Sequence, residues 1–336
     1  MRLYASALGL ALLLQQIPPV PPLPQPPFEE WLAGVRAEAI ARGIKQSTVD
    51  QALDGLEPVA TVIQRDRTQA EIVQTLDQYL KQRVTAKVVR TAQSMHRTHR
   101  AVLRQASEKY GVPTGILVAI WGLESNFGRF SGVRPTIATL ATLAYDPRRT
   151  ALFRKELFDA LTILDSGDVE PAALKGSWAG ALGQPQFMPS SFLLYAVDFD
   201  GDGRRDIWKS TPDVFGSIAN YLSAHGWDKG KTWGREVTIP TTLITKLPEV
   251  APMQTSGCLA RRQMTAPLGL AEWSKLGVRT ASGGALPKPE IEASLVMGDQ
   301  RHFLVYPNYQ ALLEYNCVNA YGLSVGLLGD RAAASR

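Results

Sequence analysis

The sequence predicts a mainly α protein that carries one small mixed α/β insert. Three observations predict it. Apolar residues recur at helical spacing over most of the chain, as in Ile72, Leu76, Tyr79, Leu80 and Val84. Helix-start signals open several of those runs, at Pro113, at Asp146-Pro147 and at Thr211-Pro212. From about residue 234 to 306 the texture changes to short β-prone runs between Gly- and Pro-rich turns, and helical spacing then resumes.

Taken in order, residues 1–27 form an apolar leader and a proline-rich linker. Met1-Arg2 precedes an apolar run from Leu3 to Leu14, the pattern of an export signal. The run falls short of the roughly 20 residues that span a bilayer. Val20 to Pro27 reads as a stiff, extended spacer. Residues 28–109 read as an N-terminal helical domain. Residues 110–233 follow with a helix that has Pro113 in its first turn and runs through Ile120 and Trp121 to the Glu124 end. A second helix starts at Asp146-Pro147, shows Leu152, Leu157, Leu161 and Leu164 on one face and stops at Gly167. A third starts at Thr211-Pro212, and Val214, Ile218 and Leu222 line it up to Gly226. In the insert, 234–306, Val237-Thr238-Ile239 and Phe303-Leu304-Val305 are the strand candidates, and Leu268 to Leu276 is a short helix candidate. Residues 307–336 return to helix.

The chain has 336 residues, enough for two or three domains, and its 45% hydrophobic and 20% charged content fits a soluble globular protein. A net charge of +5 is mild and suits an anionic envelope polymer, although solvated surface charge is the default reading. No nucleic-acid module is present. Arg97, Arg100 and Arg104 read as one face of a helix. The two cysteines, Cys258 and Cys317, either pair after export or remain buried thiols. No His stands at zinc-ligand spacing from either.

The chemistry concentrates at Gly122-Leu123-Glu124-Ser125-Asn126-Phe127-Gly128. One acidic residue ends an apolar segment that begins at Ile116. A carboxyl in such a setting resists ionisation and becomes a proton donor near neutral pH. Small residues, a hydroxyl and an amide follow in Gly176-Ser177-Trp178-Ala179-Gly180 and Gln186-Phe187-Met188. Together they suit a groove for a polar polymer such as a glycan. Glycoside cleavage needs an acid for the leaving oxygen, and hydrolases add a second carboxylate. No obvious second one accompanies Glu124.

Four motifs occur in order: the Glu124 segment, the segment from Ser177 to Ser191, the run Asp198-Phe199-Asp200-Gly201-Asp202-Gly203, and Ala219-Asn220-Tyr221 to His225-Gly226-Trp227. Together they resemble the lytic murein transglycosylases of the membrane-bound lytic transglycosylase B family, over about residues 28–330. The resemblance implies a lysozyme-like catalytic core that the C-terminal helices complete. It implies that Glu124 protonates the glycosidic oxygen and then deprotonates the sugar's own 6-hydroxyl, leaving 1,6-anhydro-muramyl ends on peptidoglycan strands. No catalytic cofactor is implied. Ser177, Gln186, Tyr221, Tyr315, Asn316 and Tyr321 match groove positions, and Arg148 and Arg149 match a pair that could hold muramyl or peptide carboxylates. Leu182, Gln184-Pro185 and Cys317 depart from the family pattern.

Asp198, Asp200 and Asp202 match positions 1, 3 and 5 of an EF-hand loop, with Gly203 at the turn and the Arg204 carbonyl at position 7. Lys209 replaces the bidentate Glu, and Asp213 matches an acidic ligand of the family's variant site. A structural calcium ion is the expectation, and a metal-free Asx turn is the alternative. The expected setting is the periplasm, with a monomer acting on peptidoglycan strands, other cell-wall enzymes as candidate partners and no nucleic acid. Two rival functions remain open at this level, a lysozyme-like hydrolase on the same fold and a noncatalytic glycan-binding envelope protein.

Overall fold

A computed structural model describes residues 25–67, 74–287 and 290–334. The leader and Ile72 lie outside the described residues. The N-terminal part holds α1 (Phe28–Ala41), α2 (Gln46–Leu53), α3 (Ala60–Arg67), α4 (Leu76–Arg83), α5 (Ala86–Thr98) and α6 (Arg100–Tyr110). Local signals place the ends. Thr75 and Gln78 form a reciprocal capping box on α4, and the Thr85 hydroxyl accepts from Val88 N to cap α5. The chain breaks at His99, so Arg97 and Arg100 stand on two successive helices rather than on one.

The middle part runs α7 (Thr114–Ser125), β1 (Arg134–Pro135), α8 (Thr136–Tyr145), α9 (Thr150–Ser166), β2 (Lys175–Gly176), α10 (Pro189–Tyr195) and α11 (Thr211–Ala224). β1 and β2 form a two-residue antiparallel pair that sequence periodicity did not signal. α9 starts three residues after the expected Pro147. Asp146 instead closes a turn, its carbonyl accepting from Arg149 N and from the Thr150 hydroxyl. Leu152, expected on the apolar face, is exposed, since five residues before Leu157 it stands about 140° round the helix from it. Gly167 ends α9 in the left-handed region, as expected.

The insert holds β3 (Gly234–Thr238), α12 (Thr241–Val250), α13 (Leu259–Arg262), β4 (Leu268–Gly269), α14 (Leu270–Lys275), β5 (Arg279–Thr280), β6 (Glu292–Met297) and β7 (His302–Val305). Its strands form an antiparallel sheet in the order β4-β6-β7-β3-β5. Two helices, α15 (Asn308–Tyr315) and α16 (Asn319–Ala333), then return to the helical body.

Two cores hold the molecule. The larger extends from Leu32 and Val35 through α7 and α11 to Leu328 and Ala332. The helices of 28–109 therefore share one core with those of 110–233 and with the C-terminal helices, and residue 109 marks no break in packing. The smaller core belongs to the insert and gathers Val237, Leu243, Trp273, Leu295 and Leu304. Cys258 at the start of α13 pairs with Cys317 between α15 and α16, with Cα atoms 6.5 Å apart. That disulfide ties the insert to the C-terminal helices.

α7 is the axis of the larger core, with every residue from Gly115 to Trp121 buried. Such all-round burial demands a closely fitting neighbour. α16 supplies it through glycine: a Cβ on Gly115 would stand 2.2 Å from the Gly329 carbonyl oxygen. Any side chain there would push the two helices apart and move the far end of α7.

Candidate active site

That far end carries Glu124. After Ser125 the chain turns through consecutive left-handed residues, Asn126 at φ 51°, Phe127 at φ 59° and Gly128 at φ 77°. The turn folds Phe127 back over Gly122, where a Cβ would stand 2.5 Å from the ring. The Ser125 hydroxyl donates to the Trp121 carbonyl at 2.7 Å and accepts from Gly128 N at 2.9 Å. One turn before Glu124, Trp121 Nε1 donates to Gln184 Oε1 at 2.6 Å. These contacts hold the end of the helix in one geometry, so the Glu124 backbone is fixed before any substrate arrives.

Opposite stands a wall of phenols. The Tyr315 and Tyr321 rings stack at 6.4 Å between centroids, and Tyr221 meets Tyr315 edge-on at 4.8 Å. Phe187 packs on both Tyr221 and Tyr315. The Tyr315 hydroxyl donates to the Pro185 carbonyl and the Tyr221 hydroxyl to the Glu314 carbonyl. Burial and the neighbouring Glu124 push the Tyr315 and Tyr321 phenols well above their ordinary range, so both stay neutral.

Burial in this wall raises the Glu124 carboxyl from 4.5 to about 7. The nearby Tyr321 hydroxyl and the charge of Arg83 offset part of the effect. The Tyr321 hydroxyl neighbours the carboxyl without closing a bond of ordinary geometry. A half-buried acid that is half-protonated near neutral pH can give a proton and take one back.

The remaining site candidates fall into three groups. Ser177 accepts at Oγ from Ala179 N and Ala181 N, at 3.3 and 3.1 Å, closing the turn after β2. Both acceptor positions are used, and its proton is left to donate. Gln186 adopts φ 55° and donates through Nε2 to the Gly183 carbonyl at 2.7 Å, while Asn316 is exposed beside Tyr315. Arg148 and Arg149 sit at the exposed corner between α8 and α9, where Arg148 is held by the Asp146 carboxylate at 2.6 Å.

Carboxylate oxygens of Asp198, Asp200 and Asp202 gather within 4.8 Å of one another. A cluster of hard oxygens fits a calcium ion. Asp213 does not join them. It is fully buried, and its two oxygens accept from Phe199 N at 2.7 Å and Asp206 N at 2.8 Å. Arg204 N donates to Asp202 Oδ1 at 2.8 Å. The loop is thus closed by its own amides, with Asp213 as the clasp.

Sequence reasoning missed two contributors. Gln184, read as a departure from a pattern, is a buried bridge. Its side chain joins Trp121 of α7 to the Trp208 carbonyl beside the Asp-rich loop. A polar residue flanked by Gly183 and Pro185, next to an apolar run, was the available signal. Arg83 of α4 carries the positive charge that acts on Glu124 and lies over the Tyr79 ring at 5.4 Å. Its distance along the chain hid it.

Known proteins resemble this chain over most of its length. A family model described as the transglycosylase SLT domain matches residues 27–330. The membrane-bound lytic murein transglycosylase B of Escherichia coli K12 is 33% identical over 264 residues, which are 77% of this chain and 67% of that protein. SltB3 of Pseudomonas aeruginosa, solved with NAG-anhNAM-pentapeptide, superposes with a TM-score of 0.82 at 40% identity, over 90% of this chain and 78% of that one. The Escherichia coli lytic transglycosylase SLT35, solved in complex with calcium, superposes with a TM-score of 0.74 at 28% identity, over 91% of this chain and 93% of that one. With the match running from before α1 to the last turns of α16, this chain belongs to the transglycosylase SLT domain family.

Proposed function

We propose that Glu124 is the single proton carrier of a peptidoglycan lytic transglycosylase. The protein is an enzyme that cleaves the glycan strands of peptidoglycan. In the proposed reaction the Glu124 carboxyl protonates the oxygen that joins MurNAc C1 to GlcNAc. The C1–O bond breaks and GlcNAc leaves as an alcohol. The Glu124 carboxylate then takes the proton of the MurNAc 6-hydroxyl as its oxygen bonds to C1. The product is a 1,6-anhydro-MurNAc end, and the carboxyl is protonated again. No water is consumed and no catalytic cofactor takes part.

One observation carries this reading. The buried Glu124 carboxyl is raised to about 7, and no other carboxyl among the described residues contributes to its environment. A retaining hydrolase would need a partner carboxylate about 5–5.5 Å away. In the same reading the Tyr221, Tyr315 and Tyr321 wall offers apolar faces to sugar rings. Ser177 donates its free proton to a substrate oxygen, and Gln186 and Asn316 supply amides. Arg148 and Arg149 meet muramyl or peptide carboxylates at the rim.

Asp198, Asp200 and Asp202, with the Arg204 carbonyl, would hold a calcium ion that pins the loop, while Asp213 braces it from within. The ion has no part in the chemistry. We read the enzyme as a periplasmic monomer. The location of its substrate supports the compartment. No helix among the described residues is long and apolar enough to cross a membrane.

Digestion of murein sacculi by the purified protein tests the reaction type. Mass spectrometry of the soluble products should find 1,6-anhydro ends. Reducing ends would make the enzyme a hydrolase.

A further inference from the structure

Two contiguous clefts run along the seam of α5, the start of α6 and the end of α16. Their volumes are about 390 and 550 Å³, and Gln93 lines both. Arg97 and Arg100 line the first, and Arg90 and Arg331 the second. All four guanidinium-bearing residues are exposed, and no acidic residue lines either cleft. None of the four forms an ion pair among the described residues. Some other arginines of the surface are paired, among them Arg36 with Asp54, Arg104 with Glu108 and Arg301 with Glu236. His96, bonded through Nε2 to the Thr114 hydroxyl at 2.8 Å, joins the wall as a neutral ring, its pKa lowered by burial and by Arg100 and Arg97.

A cluster of like charge, offset in part by Asp330 beside Arg331, repels itself and attracts an anionic partner. The shape narrows the partner. A furrow between helices admits a chain, whereas a flat lipid surface would touch only its rims. Along α5, from Arg90 to Arg97, the furrow runs about 10 Å at the helical rise per residue, the span of roughly three extended peptide residues. Its place narrows the partner further. The His96–Thr114 bond sets the end of α5 beside the start of α7. Glu124 lies at the other end of α7, on the order of 15 Å away along the axis. The furrow is therefore outside the groove yet close enough to meet the same wall.

We propose that this furrow is a second peptidoglycan-binding site, in which Arg90, Arg97, Arg100 and Arg331 take carboxylates of stem peptides from the strand being cut or its neighbour. The inference rests on the reading of peptidoglycan as substrate. Guanidinium groups suit carboxylates because they offer paired donors. A second contact raises the local concentration of glycan at Glu124 without touching the reacting atoms.

The test uses the purified enzyme and an Arg90→Glu/Arg97→Glu/Arg100→Glu variant, with matched melting curves as the check on folding. Binding to intact sacculi is measured by sedimentation at low and high salt, and turnover on soluble, peptide-free glycan. The variant should bind sacculi about tenfold more weakly or worse, the equivalent of roughly 1.4 kcal/mol, and with a shallower salt dependence. Wild type on sacculi stripped of stem peptides by an amidase should fall to the variant's level. Both proteins should turn over the soluble glycan equally. A charge-neutral triple Gln variant should fall between the two. Equal sacculus binding by variant and wild type, or undiminished binding to stripped sacculi, overturns the proposal. Arg-dependent capture by phosphatidylglycerol vesicles with no effect of stripping assigns the furrow to the membrane and also overturns it. If the wild type yields no anhydro products, the catalytic reading fails by itself, and the sedimentation arms still decide the furrow.

Discussion

Glu124 and Asp213 are both acidic residues that burial pushes toward the neutral form, yet they do opposite work. Asp213 gives each oxygen a backbone N–H, from Phe199 and from Asp206, and so closes a loop. Among the described residues no backbone N–H reaches the Glu124 carboxyl. Its neighbours are phenols, the Tyr321 hydroxyl nearest. Burial alone makes a carboxyl into an acid. Amide donors retire it from chemistry by making it part of the framework. The difference follows from local backbone. Glu124 stands at the end of a helix, where the amides point back into the helix. Asp213 stands in the first turn of α11, facing a loop whose amides are unpartnered without it.

The largest effect expected from this contrast is on activity. Glu124→Gln should fold and lose murein turnover by on the order of 10²-fold or more, the lower range for losing a general acid–base. Near-normal product release by a folded Glu124→Gln enzyme would break the assignment. Asp213→Ala should act on stability instead. It leaves two part-buried N–H groups without their acceptor, at a cost of roughly 2 kcal/mol, read as a shift of the denaturation midpoint. Asp213→Asn keeps one acceptor and should cost less. If Asp213→Ala melts like wild type, the loop does not depend on its clasp.

A third expectation concerns pH. The folded carboxyl of Glu124 is raised to about 7 from an ordinary 4.5, so between these values the folded state holds a proton that the unfolded chain has released. Stability from this group is therefore full below about 4.5, falls as pH rises through that window and levels off above about 7. Glu124→Gln removes the penalty. Relative to wild type it should gain about 3 kcal/mol between pH 4 and pH 8, measured by denaturant titration at both values. A pH-independent difference would contradict the raised value. The smallest effect is that of calcium. Chelator-treated wild type should melt a few degrees higher in millimolar calcium, and Asp198→Ala should not respond. An unresponsive wild type would make the Asp-rich loop a turn held by amides alone.

Much of the site was legible in the sequence because it is local. The apolar run before Glu124 forecasts burial and a helix that runs to it, and α7 shows both. The left-handed turn through Asn126, Phe127 and Gly128 was not read from the sequence. The starts of α7 and α11 and the end of α9 followed from capping chemistry. Non-local pairing was not legible. β6 and α12 were missed, although Ser294 to Val296 lies in the middle of the sheet. β6 is buried on both faces, so it lacks the alternation that marks a strand. α12 contains Pro248, a residue that argues against a helix interior, and it stands in the last turn. For Asp213, carboxylate spacing could not tell whether its oxygens would meet a cation or backbone amides. Gln184 is the same case, since only the folded chain brings Trp121 and Trp208 to one amide.

The most direct measurement is a carbon-13 NMR titration of the Glu124 side-chain carboxyl in the wild-type enzyme, assigned by its loss in Glu124→Gln. A midpoint near 7 is predicted, because burial without amide donors sets it. A midpoint near 4.5 would contradict the account, since a carboxyl ionised at neutral pH has no proton to give the leaving sugar.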